Sequence, residues 1–448
     1  MANFSPEQVL ALAPDPASAK AGQSLSSTSK WLNLSQSDRA VWGECQGSGA
    51  TPYQTQIDLF GPAFKCSCPS RKFPCKHGIG LLLAFTQKPE RFIQSTPPDG
   101  VIEWLEKRDN SAAKQSASLP AERTAAQLEE SKKEAQRRAA KREHKVKEGL
   151  QELEVWLGDL IRQGLARAQQ QSMDYWDAMA ARLVDSQAPG LARRIQTCSS
   201  IIHSGGNWTR RLMDKLSRIH LLIEGTKRIN QLPDTIQMDI RTSIGWTIRE
   251  EEVLQQTGIR DQWLVQGYCT EEEEVLRVHR TWLLGLTTKK PALLLSFAAP
   301  GQPAKTLIPP GTLFEATLAF YPSNAPLRAI IKQKEQDLST EIQFEASSNF
   351  DIALSKCAGI WACNPWIELL PVSVSNCLLV CQDREWFLVD QNSTALPILP
   401  RFQQPWHFLA SSGGHPCTAF GEWDGENFLP LSLVNMENRL IFFESHCP

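Results

Sequence analysis

Residues 64–78 read Phe64-Lys65-Cys66-Ser67-Cys68-Pro69-Ser70-Arg71-Lys72-Phe73-Pro74-Cys75-Lys76-His77-Gly78. Three cysteines and a histidine are spaced as C-x-C, six intervening residues, then C-x-H. Three thiolates and one imidazole form a tetrahedral ligand set for zinc. In an extended segment Cys66 and Cys68 point the same way, so both sulfurs can reach one ion. Pro69, Ser70 and Pro74 are turn formers that can bring Cys75 and His77 back to close the shell. The apolar run Gly78-Ile79-Gly80-Leu81-Leu82-Leu83-Ala84-Phe85 then predicts a packed helix with the last two ligands at its entrance. Four protein ligands leave no position for a catalytic water, so Cys66, Cys68, Cys75 and His77 are expected to hold a closed, structural Zn2+.

Upstream, residues 41–45 and 53–59 alternate like strands around a turn at Gly47-Ser48-Gly49. Tyr53, Thr55, Ile57 and Leu59 share one face, and the resulting hairpin is expected to lead through Gly61-Pro62 into the first two ligands. Ser5-Pro6-Glu7 and Asp15-Pro16-Ala17 read as starts of short outer helices that cover the module. Val101-Ile102-Glu103-Trp104-Leu105 predicts a helix packed on it. So small a core suggests that the metal contributes much of the folding free energy, on the order of 10 kcal/mol.

The C-x-C and C-x-H pairs, with Gly47-Ser48-Gly49 and Pro52-Tyr53 ahead of them and an apolar helix behind, resemble the bacterial SWIM-type zinc finger proteins. The resemblance covers residues 30–105. It implies a zinc-dependent module for nucleic-acid or protein contacts, with no catalysis attached.

The finger carries Lys65, Arg71, Lys72 and Lys76 and no acidic residue between them. With Phe73 in their midst, they could offer cations to phosphates and an aromatic face to a base; equally, they could be a solvated basic loop around an anionic thiolate site. A second basic stretch, residues 131–147, has eight basic residues against two acidic ones, and Lys133, Arg137, Lys141 and Lys145 recur every four residues as one helical stripe. Globally the chain is balanced, with a net charge of -2 over 448 residues, so charge as a whole selects no partner.

The organisation expected is α+β and multidomain: residues 1–108 with the N-terminal helices and finger, 109–148 a charged and partly helical linker, 149–258 helical, 259–345 antiparallel β, and 346–448 mixed α/β. Leu150, Leu153, Trp156, Leu157, Leu160, Ile161 and Leu165 keep helical period, as do Leu212, Leu216, Ile219 and Ile223. Thr247 and Glu250 suggest a capping box for a last helix. Trp176, Trp208 and Trp246 are expected in the core. Beyond residue 259 the period becomes two: Leu276, Val278, Trp282 and Leu284 alternate against Arg277, His279 and Thr281, which places His279 on a solvent face. Residues 271–274 and Pro309-Pro310-Gly311 read as turns, residues 349–363 as a helix, 377–381 as a buried strand, 421–426 as a hairpin turn, and His446-Cys447 as a loose tail. The nine cysteines outside the motif read as reduced core residues.

No phosphate-binding loop, nucleophile elbow or H-E-x-x-H helix is present. The start of the chain lacks a signal-peptide pattern and no run is long enough to span a bilayer, which predicts a cytoplasmic protein without membrane contact. Two functions follow: a non-enzymatic zinc protein whose finger recognises DNA, RNA or protein, or an assembly scaffold whose finger docks a partner such as an ATPase.

Overall fold

The computed structural model describes residues 4–10, 12–14, 16–46, 51–60, 63–70, 72–116, 125–272, 276–298, 308–338, 344–443 and 446–447. Among them the chain is α+β and builds four packed units.

The first unit opens with helices α1 (Pro6–Leu10) and α2 (Pro16–Gln23). Ser5 caps α1, its Oγ accepting from the Gln8 amide at 3.2 Å. Strands β1 (Trp31–Gln36), β2 (Ala40–Cys45), β3 (Tyr53–Asp58) and β4 (Ala63–Cys66) precede helix α3 (Lys76–Gln87), and β5 (Ile93–Gln94) and helix α4 (Asp99–Ser116) follow it. The sheet runs β4-β3-β2-β1-β5, antiparallel except for β1–β5. The apolar side of α3 (Ile79, Leu81, Leu82, Ala84) packs with Val9 and Leu25 from the cover and Val41 and Ile57 from the sheet. Gly78 permits this approach, since a Cβ there would meet Phe64 Cδ1 at 2.9 Å. Val101 and Leu105 of α4 pack on Ala40. Behind them Asp58, its side chain 2% exposed, receives Arg39 Nη2 and Arg108 Nε, each at 3.2 Å, and ties α4 to the sheet.

The second unit is helical: α5 (Ala125–Gln163), α6 (Leu165–Ala168), α7 (Met173–Asp185), α8 (Pro189–Ile201), α9 (Trp208–Lys227), α10 (Asp234–Ile244) and α11 (Glu250–Leu254). Leu150, Leu153, Leu157 and Leu160 form the buried stripe of α5 against Trp176, Ile195, Leu216 and Ile240. A residue from far along the chain completes this core: Trp366 is buried in it, donates Nε1–H to the Arg218 carbonyl at 3.1 Å, and accepts from Arg194 Nη2 at 3.1 Å.

The third unit comprises β6 (Ile259–Glu272), β7 (Arg277–Gly285), β8 (Pro291–Ala298), β9 (Leu313–Phe320) and β10 (Arg328–Leu338). Their order is β6-β7-β8-β10-β9, and β9 pairs again with β6, so the sheet closes into a barrel around Trp263, Val265, Leu283, Phe314 and Leu318. The fourth unit holds α12 (Phe350–Cys363), β11 (Leu370–Gln382), β12 (Glu385–Val389), β13 (Ala395–Pro397), α13 (Pro405–Ser412), β14 (Cys417–Trp423), β15 (Phe428–Val434) and β16 (Leu440–Phe442), its sheet ordered β13-β12-β11-β14-β15-β16. Asn349 caps α12 by accepting from the Ile352 amide at 3.0 Å. Strand β17 (His446–Cys447) returns to pair with β6.

Barrel and C-terminal sheet share one core, in which Cys269 and Trp282 of the barrel's outer face join Phe420 and Leu431. Within it Arg280 grips Glu422 with two hydrogen bonds, 2.8 Å from Nε and 2.9 Å from Nη2. Trp282 Nε1 donates to the same carboxylate at 2.8 Å, and Glu271 pairs with Arg280 from the other side. Burial alone would lower the proton affinity of the guanidinium; Glu422 more than offsets this and keeps Arg280 charged.

Several expectations need correction. The boundaries at 109 and 149 fall inside α4 and α5, and the stretch read as a linker begins as the end of α4, helical to Ser116. Helix α11 has Arg249 at its cap in place of a Thr247 box. The barrel is not wholly antiparallel, because β8 and β10 run parallel. His279 is buried, its Nδ1 2.9 Å from Thr270 Oγ1, since β7 faces the barrel interior on one side and the C-terminal sheet on the other. Glu422 stands in strand β14, not in a turn, and the turn is moved to residues 424–427. His446-Cys447 is a strand, not a tail. Cys363 and Cys381 are exposed, whereas Cys45, Cys198, Cys269, Cys357, Cys377 and Cys417 are buried and outside any disulfide. The turns at 47–49 and 61–62 lie outside the described residues, as do 273–274, while Glu271 and Glu272 belong to strand β6 and not to a turn.

Candidate metal centre

Strand β4 delivers Cys66 at its last position, and the chain then leaves the sheet. Cys68 therefore sits one step into the loop, where the hairpin was expected to hold both sulfurs on one strand. The loop passes the cis Phe73–Pro74 bond and reaches Cys75 at the cap of α3, with His77 in its first turn. The four donor atoms of Cys66, Cys68, Cys75 and His77 lie within 4.8 Å of one another. Among the described residues no other histidine, cysteine or carboxylate group gathers in this way.

The spacing fits zinc. Bond lengths of about 2.3 Å to sulfur and about 2.0–2.1 Å to nitrogen at tetrahedral angles put a sulfur and a nitrogen roughly 3.6 Å apart. Cys66 Sγ and His77 Nδ1 are 3.7 Å apart. This places Nδ1 as the metal-facing atom and leaves Nε2 directed away. Thr55, paired across the ladder with Cys66, holds its hydroxyl 3.2 Å from the sulfur and supports the ligand from behind. The positive end of α3 lies at Cys75, which favours thiolate there.

Without metal the three thiols share their protons unequally. Cys66 is drawn down to about 4 by hydrogen bonding from Cys75, and further by His77 and Thr55. Cys75 moves up because it donates to Cys66, and burial raises Cys68. One thiolate thus stands preformed among two thiols and an imidazole, a set that a divalent cation can deprotonate on binding.

Comparison with protein families matches residues 53–85 to the SWIM zinc finger and residues 141–244 to the SWIM-associated four-helix bundle domain. Residues 53–85 are a SWIM zinc finger. The finger implies a bound metal at its Cys3His set, and the second match spans most of the helical unit, from within α5 to the end of α10. No curated protein and no solved structure matches the chain.

Around the SWIM finger Lys65, Lys72 and Lys76 are exposed, and Arg71 lies outside the described residues. Phe73 is half-buried: it meets Phe64 in a T-shaped contact, ring centres 6.1 Å apart, and packs against the module's core. The aromatic beside the metal is instead Tyr53, whose ring centre lies 4.9 Å from that of His77. Its alternation with Thr55 and Ile57 was visible in the sequence, but its meeting with His77 depends on the β3–α3 packing. Between the finger and α2 opens a cleft of about 890 Å3 whose lining, among the described residues, includes Lys30, Tyr53, Cys68, Lys72, Lys76 and His77 and no carboxylate. In the second basic stretch Arg137, Lys141 and Lys145 are exposed on α5, while the side chain of Lys133 is outside the described residues. No helix among the described residues is long and apolar enough to cross a membrane.

Proposed function

We propose that the SWIM finger binds zinc in a closed site without catalytic function, and that it recognises single-stranded nucleic acid through the adjoining cleft. The observation that carries this is the cleft's composition: Lys30, Lys72 and Lys76 around Tyr53, with no carboxylate among the described lining residues. Cations along a groove with an aromatic stacking surface are what a flexible phosphate backbone with accessible bases requires. With zinc bound, three thiolates leave the centre a net charge of about -1, which the lysines offset nearby. All four tetrahedral positions are filled by protein, so no hydrolytic water is activated.

The test is fluorescence anisotropy of zinc-replete protein with labelled single- and double-stranded oligonucleotides over a salt series. Three phosphate contacts predict a slope of about -2 in log affinity against log salt, and Lys30→Gln and Lys76→Gln should each reduce it by about 0.7. Absence of binding at low salt, or a slope that neither substitution changes, defeats the nucleic-acid reading. A protein-docking role is favoured by a different observation: the same module exposes Leu32 (50%), Phe60 (71%) and Ile93 (70%). Binding that survives high salt but is lost in Phe60→Ser would support that scaffold reading.

A further inference from the structure

A second cleft, of about 580 Å3, lies where the barrel meets the C-terminal unit. This is within the size range of small-molecule sites, which favour such junctions. Its barrel side is built by Gln266 of β6, Leu284 of β7, Pro291 of β8 and the Asn324-Ala325 loop between β9 and β10; α12, β11 and β14 supply the opposite wall. Small five-stranded Greek-key barrels bind ligands on the face of their second and third strands, flanked by the loop between the fourth and fifth. Here the C-terminal sheet packs on β6 and β7 through Cys269, Arg280 and Trp282, and the cleft opens next to that contact, with Phe420 in both.

Gln266 singles the cleft out. The ladder between β6 and β7 slips between Val265 and Gly267, so Gln266 is the extra residue of a β-bulge, a device that redirects a side chain. Its backbone carbonyl is fixed by Ser432 Oγ at 2.6 Å. The side chain is 97% buried by its 3% exposure, and its Nε2 has no hydrogen-bond partner. A buried donor left unpaired is costly, which points to a group that enters the cleft and accepts from it. The charged groups of the cleft are Lys289, Glu345 and Lys356. Lys289 is paired with Glu345, whereas Lys356 contacts the Ser347 hydroxyl at 3.1 Å. Among the described residues Lys356 thus lines the same cleft as the orphan amide without a carboxylate against it, and Leu284, Ile360 and Phe420 give the cleft an apolar wall.

We propose that this cleft binds a small organic anion with a flat apolar body, its oxyanion held by Lys356 and its acceptor met by the Gln266 amide. A carboxylate and a phosphate ester share that chemistry. The experiment is titration of the full chain by saturation-transfer NMR and calorimetry with adenosine 5′-monophosphate for the phosphate ester, phenylacetate for the carboxylate, and inorganic phosphate as an anion without a body. Saturable binding in either organic arm, weakened at least about tenfold by Lys356→Ala and by Gln266→Leu, is expected. Gln266→Leu should leave the thermal midpoint unchanged or higher, because the orphan donor is gone; were it to fail to fold, the exposed Lys356→Ala still decides. Failure of both organic probes overturns the proposal. So does binding that survives Lys356→Ala, which lies elsewhere, or inorganic phosphate binding as tightly as the organic probes.

Discussion

Replacing Glu422 by alanine tests what joins the barrel to the C-terminal sheet. Glu422 is 2% exposed and satisfies Arg280 twice and Trp282 once. Its loss leaves a guanidinium whose side chain is only 8% exposed with Glu271 as its remaining carboxylate, at the edge of the cluster. Removing one partner of a buried ion pair costs about 3–5 kcal/mol, and Glu271 holds the value near the lower end. The Trp282 N–H left without an acceptor adds about 1 kcal/mol. A total of about 4 kcal/mol, at a slope of about 2 kcal/mol per molar urea, lowers the denaturation midpoint by about 2 M. Hydrogen exchange should then speed up first in β7 and β14, which carry the two partners. The paired substitution Arg280→Met with Glu422→Leu removes both charges together and should recover most of the loss, since buried pairs exchanged for apolar groups are near neutral. A midpoint for Glu422→Ala within about 0.3 M of the native chain, or a double variant as unstable as the single one, refutes the reasoning.

Chelation of the metal, or His77→Ala, should abolish zinc content and collapse hydrogen-exchange protection across residues 53–85 while leaving residues 141–244 protected, because the bundle has its own core. Asp58→Ala removes the anchor of two arginines and should destabilise the docking of α4 by about 2–3 kcal/mol, seen as faster exchange over residues 99–109 with zinc retained. In Gly190→Ala the new Cβ would meet the Ser243 carbonyl oxygen at 2.4 Å, a backbone atom that cannot step aside; a loss of about 1–3 kcal/mol is expected in urea denaturation of the bundle. Alkylation at neutral pH read by mass spectrometry should label Cys363 and Cys381 first, whereas Cys198, which burial pushes to about 12, and Cys357, pushed to about 11, react only on unfolding.

What could be read from the sequence was whatever local spacing decides. The C-x-C and C-x-H pairs marked the metal ligands, Ser5 and Asn349 marked helix starts, and the leucines of α5 marked a buried stripe. What escaped depends on distant partners. His279 alternates with apolar neighbours like a surface residue, and its burial comes from strands packed on β7, with Thr270 of β6 opposite it, which no local pattern reveals. Phe73 meets Phe64 and Tyr53 meets His77 because the loop folds back on the sheet, which no spacing within the motif dictates. The parallel β8–β10 and β17–β6 pairs join segments with no shared local signal. The Gln266 bulge is likewise a property of two strands in register, not of either one.

Trp366 carries a consequence for the order of events on the ribosome. The helices that build the bundle's core, α5 to α10, are complete once residue 244 has emerged, yet the indole that fills that core lies about 120 residues further on. At roughly 5–20 residues per second, translation leaves that socket open for about 6–24 s. During that interval the nascent bundle presents an apolar vacancy, with the Arg194 side chain lacking its Trp366 carbonyl, and its folding is finished by the C-terminal unit that arrives to fill it.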